Sequence, residues 1–227
     1  VDVVSKSAIL KSVREDPATE PASHQGATKR RRQVIAAGHA GRPEVARRGL
    51  DDPDPATQAA AVGALARIGA LTVADIARFL DPSSLVEVRR RAADAALSIK
   101  GPGSRSTLYQ LLIGALDDSD PLVVVNACWF VAERRVGDAV TTLSRVATGH
   151  EDVRCREAAV AALGAVGDPA GLPAVLAGLD DKPTIRRRAT VALAGFDDPR
   201  VEPALLRSAE DRDWQVRQAA DELIRPE

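Results

Sequence analysis

Residues 150–181, HEDVRCREAAVAALGAVGDPAGLPAVLAGLDD, carry the plan of the chain in one unit. An acidic turn opens the unit and an Ala-rich apolar run follows. Gly167-Asp168-Pro169 interrupts, and a second apolar run ends at Leu179-Asp180. The same order returns in LDDPDPATQAAAVGALARIG from Leu50, in LDPSSLVEVRRRAADAALSIKG from Leu80 and in DKPTIRRRATVALAGFDDPRVEPALLRSAED from Asp181. Self-similarity at a period of roughly thirty residues marks stacked supersecondary units, each burying its apolar face against the next. The sequence therefore predicts a solenoid, and with it an extended binding surface.

One apolar anchor per unit sets the register: Leu65, Leu97, Val131, Leu163, Leu193 and Ile224. Four residues before each stands alanine, at 61, 93, 127, 159, 189 and 220. Eight before stand Thr57, Arg89, Val123, Cys155, Ile185 and Val216, mostly apolar. Positions four apart share a helix face, so these residues form one stripe, and its alanines let a neighbouring helix approach closely. A second, shorter helix per unit is read from sets such as Val73, Ile76 and Leu80, or Leu172, Val175 and Leu179. Several of these runs end in Leu-Asp, and Pro53, Pro82, Pro121 and Pro183 then stop one helix and open the next, with turn aspartates as caps.

Aromatic residues are only 3% of the chain, so Ala, Val and Leu must do the packing, which favours helices. The expected fold is an all-α superhelix of about six helix pairs with an N-terminal helix ahead of them. Residues 1–26 read as a short helical segment (Val4, Ala8, Val13) and a linker, EDPATEPASHQG, and residues 27–226 as the solenoid.

The pattern Asp-Pro, Val-Arg-x-x-Ala-Ala-x-Ala-Leu-Gly, Gly-Asp-Pro, clearest over residues 153–181, resembles HEAT repeats. It is most similar to the short bacterial class named after phycobilisome lyases. The resemblance implies a HEAT/armadillo-type solenoid whose second helices line the inner face. It implies little about activity, since one fold hosts many functions.

Composition narrows the partners. A net charge of -1 makes the whole chain a poor trap for nucleic acid or anionic membrane. No stretch is apolar for long enough to form a transmembrane helix, and the N-terminus lacks the layout of a signal peptide. Cys128 and Cys155 make no disulfide framework, so a reducing, cytoplasmic setting is expected. The chain starts with Val and has no Met, as a literally translated Val start codon or a trimmed chain would give.

The candidate contact residues are a row of arginines. Seven residues before the anchors stand Gln58, Arg90, Val124, Arg156, Arg186 and Arg217. A cation in the first turn of a helix opposes the positive end of the macrodipole, at a cost of about 0.3–1 kcal/mol. Two offsets fit. One is a ladder with the turn acids Asp81, Asp152, Asp181 and Asp213, a device the HEAT resemblance also implies. The other is an acidic partner on the inner face. Five guanidinium donors let both operate. Arg89 and Arg187, beside this row, read as a solvated face or as more of a basic stripe. Lys29-Arg30-Arg31-Arg32 reads as the solvated face of the first helix. Trp129 and Phe130 are expected in the core, and Trp214 near a more exposed end.

No catalytic or cofactor-binding set stands out. His150-Glu151 resembles one of the His-Glu pairs with which HEAT-repeat deoxyhypusine hydroxylases hold two irons, but no other His here precedes Glu, so no metal is expected. The expectation is a non-enzymatic scaffold that holds an acidic or helical protein partner through Arg90, Arg156, Arg186 and Arg217, with Arg89, Arg187 and Trp214 as further candidates. Two rivals rest on resemblance. One is a lyase or lyase subunit of the phycobilisome type. The other is a nucleic-acid-binding HEAT protein akin to the DNA glycosylases for alkylated bases, whose Trp, Asp and Arg constellation is not matched here.

Overall fold

The structure is a computed structural model that describes residues 22–100 and 105–225. Among the described residues it is entirely helical. Helix α1 (Ala22–His39) is followed by six pairs: α2 (Pro43–Arg48) with α3 (Pro55–Ile68), α4 (Val73–Leu80) with α5 (Val86–Ala95), and α6 (Arg105–Gly114) with α7 (Pro121–Arg134). Next come α8 (Val140–Gly149) with α9 (Val153–Val166), α10 (Leu172–Gly178) with α11 (Pro183–Ala192), and α12 (Val201–Ala209) with α13 (Trp214–Ile224). This is the expected α-α solenoid. Helix α1 begins at Ala22, inside the stretch read as linker. The rest of that stretch, and the segment around Val4, Ala8 and Val13, lie outside the described residues.

Local chemistry sets the helix ends. Asp54, Asp120, Asp152 and Asp213 each accept a backbone N–H from the first turn of α3, α7, α9 and α13. Pro55, Pro121 and Pro183 fill first helical positions, where no N–H is needed. Thr72 and Asp75 form a reciprocal capping box on α4. Gly69 and Gly167 end α3 and α9 with φ of 77° and 73°. The same place after α7 is held by Arg135 at φ 48°, a left-handed residue without glycine's freedom.

The second helices stack in one row, α1 on α3 and onward through α5, α7, α9 and α11 to α13, whereas successive first helices meet more sparsely. This is the row that the HEAT resemblance implies as the inner side of the curve. Small residues allow this approach. A Cβ on Gly164 would lie 2.6 Å from Ala192 Cβ, and one on Gly195 would lie 2.1 Å from the Gly164 carbonyl oxygen.

The stripe is buried as expected in most units: Thr57, Ala61 and Leu65; Val123, Ala127 and Val131; Cys155, Ala159 and Leu163; Ile185, Ala189 and Leu193. Unit two departs by one residue. There Val88, Ala92 and Ala96 are buried, and Leu97, read as the anchor, is only half-buried. The longer loop before α5 shifts its start, and packing selects the small Ala96 in place of the larger Leu97. In the last described unit the anchor Ile224 is exposed.

Candidate interaction groove

The one-residue shift in unit two decides which arginines form the seams. Arg89, in place of Arg90, is equivalent to Arg156 and Arg186. Each of the three directs Nη1 to a carbonyl of its own turn: Arg89 to Ser84 at 2.6 Å, Arg156 to His150 at 2.7 Å and Arg186 to Asp181 at 3.0 Å. The Nε–Nη2 edge then grips an aspartate of the next unit's turn. Arg89 holds Asp118 at 2.8 and 3.0 Å, Arg156 holds Asp181 at 2.8 and 3.0 Å, and Arg186 holds Asp211 at 2.8 Å through both nitrogens. Arg30 repeats the grip from α1 on Asp52. These are bidentate charge-assisted bonds.

The ladder acids are therefore Asp52, Asp118, Asp181 and Asp211. Of the four aspartates expected, only Asp181 serves. Asp81 bonds Ser83, while Asp152 and Asp213 cap their own helices. Asp52, Asp118 and Asp211 stand two residues before the cap and Asp181 one before it, so each can also accept the cap's N–H, as Asp211 does from Asp213 at 2.8 Å and Asp181 from Lys182 at 2.7 Å. Arg30, Arg156 and Arg186 hold Asp52, Asp181 and Asp211 below the usual carboxylate range. The ladder is interrupted where Val124 replaces the arginine. There His150 takes the acid's place and accepts the Asp152 N–H on Nδ1 at 3.0 Å. A more exposed ladder ties first helices to the Leu-Asp turns: Arg78 to Asp51, Arg145 to Asp117 and Arg207 to Asp180.

The seven candidate contact residues thus fall into three places. Arg89, Arg156 and Arg186 lie inside seams, Arg186 with 6% of its side chain exposed. Arg90 and Arg187 lie on the inner face. Arg90 is bound bidentately by the α7 cap Asp120, which raises its pKa, and it also feels the like charge of Arg154. Arg187 lines a shallow depression between α11 and α13 with Gln218 and Glu222. Arg217 and Trp214 sit on the last helix.

Between α7, α9 and α11 the inner face opens into a groove of about 540 Å³. Ala158, Ala161 and Ala165 form its floor, and Leu122, Val125 and Trp129 its apolar wall. Trp129 is 60% exposed, contrary to the expected core position, while Phe130 is fully buried against Tyr109, edge to face at 5.8 Å. Adjacent residues on a helix point about 100° apart, so only one of the pair can face the core. The missed signal was the second stripe Leu122, Val125 and Trp129 at helical spacing. Arg154, Glu133, Glu157 and Arg188 rim the groove. Arg188 bonds Glu157 at 3.3 Å, and among the described residues its buried Nε has no partner. Cys128 lies beneath the groove, and burial pushes its thiol up to about 12 and that of Cys155 to about 11. Both stay protonated at neutral pH, as packing residues rather than nucleophiles. No helix among the described residues is long and apolar enough to cross a membrane.

Comparison with known proteins agrees with this architecture. A sequence model of HEAT repeats matches residues 109–193. The crystal structure of the Escherichia coli protein YibA superposes with a TM-score of 0.57 at 16% identity, over 90% of this chain and 75% of that one. A designed armadillo repeat protein in complex with the peptide (KR)4 gives 0.56 at 18% identity, over 80% of this chain and 97% of that one. No curated protein matches the sequence significantly. The chain is an α-α solenoid of the HEAT/armadillo type, with HEAT repeats recognised over residues 109–193.

Proposed function

We propose that this chain is a non-enzymatic scaffold that holds a helical protein segment with acidic residues in the groove between α7, α9 and α11. The observation that carries the reading is Trp129, a large aromatic left mostly exposed on the inner row above an alanine floor. Rigid, half-sheltered aromatics of this kind are typical binding anchors. Arg154 and Arg188 supply cations at the rim, interleaved with Glu133 and Glu157, and Arg187 adds a cation in the neighbouring depression, which suits a segment that carries carboxylates. A designed armadillo repeat protein of similar fold is in complex with a peptide, though a basic one. The pattern at residues 153–181 resembles the short phycobilisome-lyase-like class, and the two buried free thiols fit a cytoplasmic setting. The lyase and DNA-repair readings rest on that resemblance alone.

The test is affinity capture from native lysate read by mass spectrometry, with wild type, Trp129→Ala and Arg187→Glu, Arg188→Glu baits, each checked by circular dichroism. A partner bound by wild type and weakened roughly tenfold or more by Trp129→Ala is expected. Equal capture by all three baits would remove the groove from the binding site.

A further inference from the structure

The charges that rim the groove are not equally free. Arg154 is gripped by Asp152, whose two carboxylate oxygens accept from Nε at 3.1 Å and Nη2 at 2.7 Å. Arg188 and Glu157 bond each other. Glu133, exposed in the last turn of α7, has no hydrogen bond or ion pair on its carboxylate among the described residues. Of the two arginines that follow it, Arg134 donates Nη2 to the Leu97 and Ile99 carbonyls at 3.1 and 3.0 Å, and Arg135 sits in the left-handed turn beyond the helix. Glu133 stands four residues after Trp129, so the two share one helix face with Cβ atoms about 5–6 Å apart, and both line the groove. The level position on α9 is Ala161. On α5 it is Asp94, a second acid, paired with Arg91 of its own helix, whose guanidinium lies over Gly63 of α3. Helices α7 and α9 start together, with Cys155 Sγ 3.4 Å from the Pro121 carbonyl oxygen. Arg154 therefore marks the starting end of the groove. Glu133 marks the other, about 16 Å along α7 from Leu122.

We infer that a lysine or arginine side chain of the bound segment occupies the Trp129–Glu133 end, with its stem or guanidinium plane on the indole and its charged head against the carboxylate. The inference rests on the groove reading above and adds the second charge of the partner: a base at this end, and acids toward Arg154. An exposed indole alone accepts any apolar group, and an exposed carboxylate alone is solvated. Side by side they select a side chain that is apolar along its stem and cationic at its tip. The indole face attracts the cation through its quadrupole, more strongly than Phe or Tyr does, and Glu133 supplies the counter-charge. An acid in the same place would meet Glu133 as a like charge. The small Ala161 and Ala165 across the groove leave room for a long side chain.

Selection of random displayed peptides on the full-length chain tests this. Groove binders are the peptides that Trp129→Ala loses. Among them Lys and Arg are expected to be enriched, and Glu133→Gln should weaken each selected peptide about fivefold. A Glu133→Lys bait should select Asp or Glu where wild type selects a base. Affinities are read with tryptophan-free peptides from Trp129 emission in a Trp214→Phe background, since the chain has only these two tryptophans. Both Glu133 variants change an exposed carboxylate, and circular dichroism verifies that each is helical. Groove binders with no preference for a base, or with affinity unchanged by Glu133→Gln and Glu133→Lys, would overturn the inference and leave the groove standing. A selection that yields no peptide dependent on Trp129 would overturn the groove reading and this inference with it.

Discussion

Arg186 and Arg217 occupy the same register position in successive units and are anchored by the same kind of turn carbonyl. Arg186 is buried and bound to Asp211, whereas Arg217, on the last described helix, makes no ion pair among the described residues. The residue type and its local anchoring are alike, so the difference comes from whether a described turn acid packs against the guanidinium. A repeat position has no fixed role: with a neighbouring unit's acid against it, it is a seam, and without one it is a surface.

The largest expected effect breaks this pair directly. Arg186→Ala leaves the Asp211 carboxylate and the Asp181 carbonyl without their donor inside a seam, and should cost about 3–5 kcal/mol in urea unfolding. Arg217→Ala removes no interior ion pair and should stay within about 0.5 kcal/mol. Equal losses would mean that the seam contributes nothing beyond the shared turn contact.

Acid titration sharpens the same comparison. The folded pKa of Asp181 and Asp211 lies below the unfolded value of about 3.9, mainly because Arg156 and Arg186 donate hydrogen bonds to the charged form. Above the unfolded pKa this stabilisation is fully present. As pH falls the unfolded chain takes up protons first, and the stabilisation is lost down through the folded pKa. Below about pH 4, stability should therefore fall more steeply with acid in wild type than in Arg186→Met, while Arg217→Met follows wild type. Parallel curves for wild type and Arg186→Met would show that the Arg186–Asp211 pair is not what acid breaks.

The smallest effect concerns another position repeated along the row, the left-handed residue that ends α3, α7 and α9. Arg135→Gly should gain about 1 kcal/mol, because glycine adopts a positive φ without steric cost. Gly69→Ala, with open space around the added methyl, should lose about the same amount. Thermal unfolding of the two variants reads both signs.

Much of the fold was legible beforehand, and the places where reading failed are specific. The six alanines at fixed spacing, the Leu-Asp turns and the Pro-opened helices imposed a helix-pair period on the chain, because periodicity and capping are local properties. The position of Leu97 was misjudged because a longer loop before α5 moves the frame by one residue, and this changed Arg90 from a seam residue to a surface one. Asp213 was read in place of Asp211, and Asp52 and Asp118 were missed, because the pairing runs between units, where spacing along one helix says nothing. Trp129 was assigned to the core because an aromatic beside Phe130 on an apolar helix reads that way until the neighbouring helices show which side is closed.

The sequence by itself determined the repeat, the helical class and the approximate register, since each follows from side-chain volume, periodicity and turn chemistry within some thirty residues. Only the tertiary structure decided which arginines are consumed in seams and that the inner face opens into a Trp129-walled groove. These depend on how units stack on one another, and a contact between units thirty residues apart is set by the packing of whole helices rather than by the local chain.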